Sequence, residues 1–249
     1  MGIANWSDGV ANEYPNAESL AVAPDPVIET PTGGYHIETF AVGPLQCNCT
    51  IVGHKASGTA VVIDPGGNAK KILAKLEEQN LKLVRVLHTH AHFDHFLASG
   101  QLRAATQAPL ALHEHDRFLW DMLPMQCQLF GGEMPKSPMP PPDETLEHEE
   151  PLATSWDDAL QGQCIHTPGH TPGSCCFHFP QAQLLLGGDT LFKGSVGRTD
   201  LWGGNFKQLE DSIQSRLYTL DEATTVIAGH GPSTTIGHEL RHNAVVRWG

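Results

Sequence analysis

No apolar run in this chain approaches the about 20 residues that a helix needs to cross a bilayer, so no membrane partner is expected. Basic residues are also scarce, with 15 Lys and Arg against 28 Asp and Glu and a formal net charge of −13. That balance argues against a nucleic-acid partner, which calls for basic clusters facing phosphate. It leaves room for an anionic small substrate, because a local cationic centre overrides the global field. No Lys or Arg precedes Lys55, so the amino-terminal stretch lacks the Arg-rich character of a transit peptide, and it lacks the apolar core of a secretory signal. The serine after Met1-Gly2 falls at residue 7, one place off a myristoylation pattern. A cytoplasmic location is the resulting expectation. The six cysteines contain no C-x-x-C zinc pair; Cys47-Asn48-Cys49 and Cys175-Cys176 read as small strand residues in a reducing compartment. A G-x-S-x-G pattern is missing too, which disfavours a serine acyl-enzyme.

What is present suits one large domain: 249 residues, 40% of them hydrophobic. Residues 1–34 are acidic, rich in Asn, Ala and Pro and without periodicity, and read as a flexible or surface-wrapping extension. Residues 35–249 form the expected folded domain. Its first half predicts strands near Tyr35–Val42, Asn48–Gly53, Thr59–Asp64, Leu83–Leu87 and Pro109–Leu112, with helices over Ala69–Gln79, Asp94–Thr106 and Glu114–Met122. A proline-rich, acidic segment, Gly131–Leu152, is too long for a simple connector and reads as a lid or a solvated excursion. The second half predicts strands Cys164–Thr167, Ser174–Phe179, Gln183–Leu186 and Thr224–Ala228, a helix over Asn205–Tyr218 and a last helix from about Thr235. The expectation is an α/β fold of two face-to-face sheets with helices outside.

The most informative stretch is Thr89-His90-Ala91-His92-Phe93-Asp94-His95, directly after the apolar run Leu83–Leu87. A strand ending in this cluster delivers several imidazoles and a carboxylate to one point, and those donors suit zinc and iron. One catalytic ion does not need so many donors from one loop, so two ions side by side are expected, with further ligands downstream. His170, Asp189 and His230 supply them. Each follows a short apolar strand and a glycine or proline break, which places the side chain in a loop on a rigid scaffold. Fifteen histidines make an isolated one uninformative. His36, His54, His148 and His178 read as surface or hydrogen-bonded strand residues. His113 and His115 lack a third ligand in the sequence, and a closed site needs about four.

The set Thr89–His95, His170, Asp189 and His230 resembles the metallo-β-lactamase superfamily, whose pattern is H-x-H-x-D-H followed by a separate His, Asp and His. Thr167-Pro168-Gly169-His170-Thr171-Pro172-Gly173-Ser174, Gly188-Asp189-Thr190-Leu191-Phe192, Gly197-Arg198-Thr199-Asp200 and Gly229-His230-Gly231 narrow this to glyoxalase II-like hydrolases. The resemblance spans roughly residues 35–245. It implies a four-layer αββα sandwich. It also implies that His90, His92 and His170 hold a first metal and Asp94, His95 and His230 a second, with Asp189 bridging. Asp94 and Asp189 then belong to the catalytic machinery. Asp64 matches the family's aspartate near the site and reads either as the residue that orients a ligand imidazole or as a turn residue before Pro65-Gly66. Arg198 lies where the family places a basic contact for the thiol's carboxylate. The chain runs 19 residues past His230, which points to the short, single-domain branch, without the helical domain that completes a glutathione pocket.

Two divalent ions about 3.5–4 Å apart share a water and bring its pKa toward neutrality, giving a bridging hydroxide as nucleophile. Zinc is the first choice of metal, with iron or manganese as alternatives. Two such ions, two aspartates and a hydroxide leave residual positive charge, which favours an anionic tetrahedral intermediate. A thioester suits this centre, because a thiol of pKa near ~8.5 departs as thiolate without a strong general acid. The expected reaction is hydrolysis of a small thioester of the S-lactoylglutathione type. The alternative is a sulfur dioxygenase of the same superfamily, with one iron held by His90, His170 and Asp189. A β-lactamase is less favoured, since Asp189 stands where those enzymes commonly use cysteine or leave the position unbridged.

Overall fold

Strand β4, Thr59–Ile63, sends Val61 and Ile63 to one side and Val62 to the other, and this alternation gives the first sheet two buried faces. The computed structural model describes residues 27–29, 35–136, 138–152 and 162–247. Around β4 lie β1 (Val27–Glu29), β2 (Tyr35–Val42), β3 (Cys47–His54), β5 (Lys82–Leu87), β6 (Leu110–Leu112) and β7 (Glu144–Thr145), in sequence order across a seven-stranded sheet. Pairing is antiparallel from β1 to β4 and parallel from β4 to β7. The second sheet has the order β14-β13-β10-β9-β8, from β8 (Gln163–His166), β9 (Cys175–Phe179), β10 (Leu184–Gly188), β13 (Thr225–Ala228) and β14 (Thr234–Thr235). A small hairpin, β11 (Leu191–Phe192) with β12 (Ser195–Val196), stands beside it.

The sheets pack face to face through Ile37, Val61, Ile63 and Leu87 from the first and Phe177, Phe179, Leu184 and Leu186 from the second. Each such side chain, fully withdrawn from water, contributes about 1.5–3 kcal/mol. The outer face of the first sheet is covered by α1 (Ala69–Glu78), α2 (Phe93–Phe96), α3 (Ser99–Thr106), α4 (Arg117–Asp121) and α5 (Leu123–Phe130), through Ile72, Leu76, Phe96, Leu102, Leu119 and Leu123. The outer face of the second is covered by α6 (Phe206–Ser212), which runs into a π turn at Ile213–Leu217, and by α7 (Ile236–His242). The result is the four-layer αββα sandwich expected from the sequence.

Several local readings need correction. The helix expected over Asp94–Thr106 is two helices. The Ala98 amide donates to the Pro65 carbonyl at 2.9 Å instead of to its own helix, and the ladder breaks there. Beyond the helix expected over Glu114–Met122 lies a further one, α5, with Pro124 in its first turn, where the missing N–H costs nothing. The proline-rich segment, read as a lid or a solvated excursion, is tethered over Pro140–Thr145. The Trp120 indole donates to the Pro140 carbonyl at 3.0 Å, Arg103 pairs with Asp143 at 2.6 Å, and β7 extends the sheet. Within the stretch read as an amino-terminal extension, Val27–Glu29 pairs with β2, and the remainder lies outside the described residues. Among the described residues, no helix is long and apolar enough to cross a membrane.

Candidate metal centre

The site is built on strand ends that meet at one edge of both sheets. β5 leads into His90–His95, β8 into the turn holding His170, β10 into Asp189 and β13 into Gly229-His230. Direct bonds tie the two sheets together at this edge. The Cys175 amide donates to the Thr89 carbonyl at 2.7 Å, and the Asn48 amide to the Gly229 carbonyl at 2.7 Å. The fold therefore brings His90, His92, Asp94, His95, His170, Asp189 and His230 to one place.

Their outward nitrogens have partners that set each imidazole's tautomer. His170 Nδ1 lies 2.7 Å from the Arg198 carbonyl, which only accepts, so Nδ1 carries the proton and Nε2 presents a lone pair. His95 Nδ1 lies 3.0 Å from Asp64 Oδ2 and donates to it, again leaving Nε2 as an acceptor. Thr89 Oγ1 donates to Asp64 Oδ2 at 2.6 Å, so it accepts from His90 Nδ1 at 3.1 Å. The Asp64 carboxylate also takes the Thr89 amide at 2.8 Å. Its side chain thus faces the histidine loop, and the turn to Gly66 is made by its backbone carbonyl.

With those protons turned outward, acceptors converge inward. His90 Nε2, His92 Nδ1 and His170 Nε2 lie 3.1, 3.2 and 2.9 Å from one another. Ligand nitrogens on one tetrahedral zinc stand ~3.3 Å apart, so this triangle has the right size for an ion. Beside it, His95 Nε2 is 3.6 Å from Asp94 Oδ2 and 3.5 Å from Asp189 Oδ1, and His230 Nε2 is 3.1 Å from Asp94 Oδ2. Asp189 Oδ2 is 3.6 Å from His170 Nε2, so one carboxylate faces both groups. His92 Nε2, His95 Nε2 and Asp189 Oδ1 are buried without any hydrogen-bond partner. Each such orphan costs about 1–3 kcal/mol if nothing binds it; cations would satisfy His95 Nε2 and Asp189 Oδ1, whereas His92 turns Nδ1 to the triangle and keeps its proton on Nε2 outside it. The donor set fits metal.

Electrostatics agree for the three-histidine group, whereas at His95 and His230 burial is outweighed by the neighbouring acidic groups, which hold both rings above the ordinary value. Burial, followed by the surrounding imidazoles, holds His90 well below its ordinary value, and burial with His170 takes His92 down to about 3. These rings are neutral at physiological pH and free to act as ligands. Burial raises the Asp189 carboxyl, but His95, His230 and His170 override it and hold it below the usual range, so it is an anion.

Sequence reasoning missed two residues that hold this loop in place. Asp116, buried in the short 3-10 turn Glu114–Asp116, accepts from the Ala91 amide at 3.0 Å, Thr171 Oγ1 at 2.7 Å and the Gly173 amide at 2.6 Å. It clamps the loop carrying His90 and His92 to the loop carrying His170. Gln126 of α5 accepts from the Phe93 amide at 3.0 Å and donates to the Ala91 carbonyl at 3.0 Å. The available signal was a polar residue on an otherwise apolar helix face, between Leu123 and Cys127. Arg198 carries a second duty through its carbonyl on His170, while its guanidinium pairs with Asp200 at 2.6 and 2.8 Å. Cys47 Sγ lies 3.5 Å from His95 Nδ1, but burial pushes its thiol up to about 12, so it packs there as a neutral group.

Outside the centre, His36 and His54 are hydrogen-bonded as expected, to Glu38 and Ser57, whereas His178 Nδ1 is buried without a partner. His113 and His115 do have a third companion, contrary to the sequence reading. The fold brings His166 to them from the end of β8.

Residues 42–230 match the Metallo-beta-lactamase superfamily. The chain belongs to that superfamily. It is 36% identical over 209 residues to the hydroxyacylglutathione hydrolase GloC of Haemophilus influenzae, covering 84% of this chain and 96% of that one. Among solved structures, the BLEG-1 B3 metallo-beta-lactamase shares 36% identity with a TM-score of 0.75, covering 84% of this chain and 98% of its own. TTHA1623, solved in a di-iron-bound form, shares 37% with a TM-score of 0.72, covering 83% and 98%. Membership makes this chain a metal-dependent hydrolase or a related enzyme, and its His-rich clusters are the candidate places for the metal.

If Asp64 sets the His95 ring, Asp64→Ala should weaken metal retention about 10–100-fold. A competition titration against a chromophoric chelator measures this; retention equal to wild type would remove Asp64 from the centre.

Proposed function

We propose that the chain is a binuclear metal-dependent hydrolase of small thioesters, of the hydroxyacylglutathione type. The observation that carries this reading is Asp189, whose two oxygens face the His90/His92/His170 group on one side and the His95 group on the other. In this reading His90, His92 and His170 would hold one ion, Asp94, His95 and His230 the other, with Asp189 between them. Two ions so held would supply Lewis acidity and an activated water at neutral pH. Zinc is the first choice, and the di-iron form of TTHA1623 supports a pair of ions and keeps iron in play.

This chain's own residues do the positioning. Asp64, Thr89 and the Arg198 carbonyl keep the outward nitrogens protonated, so the ligand faces stay acceptors. Asp116 and Gln126 fix the backbone on either side of Ala91, which sets the separation of His90 and His92. A thioester asks little more, because its thiol departs as an anion. Arg198, partly exposed beside the centre, is the proposed contact for an anionic substrate tail and would share its charge with Asp200. The likeness to the Haemophilus hydrolase over 96% of that chain supports the substrate class.

The test is elemental analysis of the purified protein, paired with turnover of S-lactoylglutathione, other acyl thioesters, a β-lactam and a persulfide. Two ions per chain with metal-dependent thioester cleavage is the expected result. A fully loaded protein that cleaves no thioester would refute the proposal, and one iron per chain with oxygen uptake would replace it with the dioxygenase.

A further inference from the structure

We infer that His113, His115 and His166 form a second, separate site for a borderline divalent ion, zinc above all. One ligand atom from each lies within 4.8 Å of the others. His113 follows β6 of the first sheet, His115 sits in the 3-10 turn after it, and His166 ends β8 of the second sheet. The His113 and His166 rings stack at 4.0 Å with 10° between their planes, and His115 stands across them, 4.8 Å from His113 and 5.9 Å from His166.

Several features make this more than a packing contact. His166 Nε2 donates to the Pro172 carbonyl at 2.9 Å, which leaves Nδ1 with an unprotonated lone pair. A ligand imidazole is oriented in the same way in established metal sites, through a carbonyl on its far nitrogen. Burial and the two neighbouring rings hold His113 down to about 4, and burial keeps His166 below its ordinary value, so both offer neutral nitrogens. His113 Nδ1 accepts only a long 3.3 Å contact from the His115 amide. Three imidazoles without a thiolate suit zinc, nickel or copper and not magnesium or calcium. Donors on one zinc stand ~3.3 Å apart, so binding requires the stacked His113 and His166 rings to tilt until their lone pairs converge and His115, whose side chain is 57% exposed, to swing in. Glu114, whose carboxylate is 3.9 Å from His115 Nε2, and water are at hand for a fourth position. A polar cleft lined by His113, Glu114, Arg117 and Glu144 gives access from solvent. The Arg216 guanidinium works against the ion, since it donates to the His166 carbonyl, while the chain's net charge of −13 works for it.

An ion here would join the end of β6 in the first sheet to the end of β8, the edge strand of the second. It does not depend on the thioester reading, because its measure is metal bound and not turnover. Zinc is titrated calorimetrically into the metal-loaded protein in a non-coordinating buffer. One further event per chain, tighter than about 100 µM, is expected beyond the binuclear centre. His166→Ala and His115→Ala should each weaken it at least tenfold and leave the centre's metal content unchanged, whereas His90→Ala should keep it. His115 is exposed, so that variant decides the matter if His166→Ala fails to fold. No event of that strength, or one that survives both substitutions, would overturn the site.

Discussion

Asp189→Ala is expected to cost the protein at least one metal ion per chain and nearly all hydrolysis, while circular dichroism stays that of the wild type. Two divalent cations about 4 Å apart repel by on the order of 10 kcal/mol even at an effective dielectric constant near ~20. The Asp189 carboxylate is the anion placed between the two ligand groups, at 3.5 Å from His95 Nε2 and 3.6 Å from His170 Nε2. Removing it leaves that repulsion uncompensated. The apolar strands Leu184–Leu186 and Val226–Ala228 are untouched, so the sandwich should persist. His230→Ala separates the two positions. It removes a ligand from the Asp94/His95 side only and should leave the three-histidine ion in place while crippling turnover. Elemental analysis of both variants is the check. Two ions and near-normal activity in Asp189→Ala would end the bridging assignment and the mechanism that depends on it.

Gly229→Ala should lower turnover at least about 100-fold without replacing any of the residues proposed to hold metal. A Cβ at residue 229 would lie 2.2 Å from Asp189 Oδ1 and 2.7 Å from His95 Cε1, closer than atoms can approach. Something must move by roughly an ångström, and displacements of that size in a reacting constellation cost about 100-fold. Gly231→Ala provides the contrast. Its Cβ would meet nothing within 4 Å, but its φ of +74° is left-handed. That substitution should therefore cost about 1–2 kcal/mol of stability and spare most activity. Steady-state rates and melting curves of the pair distinguish the two effects, and equal activity in both would show that the close approach at Gly229 is unimportant.

The long strands were legible because their periodicity is local. Tyr35–Val42, Thr59–Ile63 and Leu83–Leu87 carry enough apolar residues to show a buried run by themselves. Two-residue strands such as Glu144–Thr145 and Thr234–Thr235 carry no period, and only their neighbours in space make them strands. The same division holds for the centre. Ligands clustered at His90–His95 announce themselves, and glycine breaks flag Asp189 and His230. Asp116 and Gln126 do not, because a polar residue in a helical turn looks solvent-facing until the fold closes over it. His166 was unreadable as a companion of His113 for a related reason: it lies on the other sheet, and no local pattern links them.

The docking of the two sheets at one edge also orders events in time. His90 and His92 come from the first sheet's loop and His170, Asp189 and His230 from the second, separated by up to 140 residues of chain (230 − 90). Closing so long a loop carries an entropic cost that must be met before its contacts exist, so such pairings form late and slowly. Metal capture by the full constellation therefore belongs after sheet docking on the folding route. An ion added to the unfolded chain should mainly slow unfolding of the finished protein, with little acceleration of its first collapse.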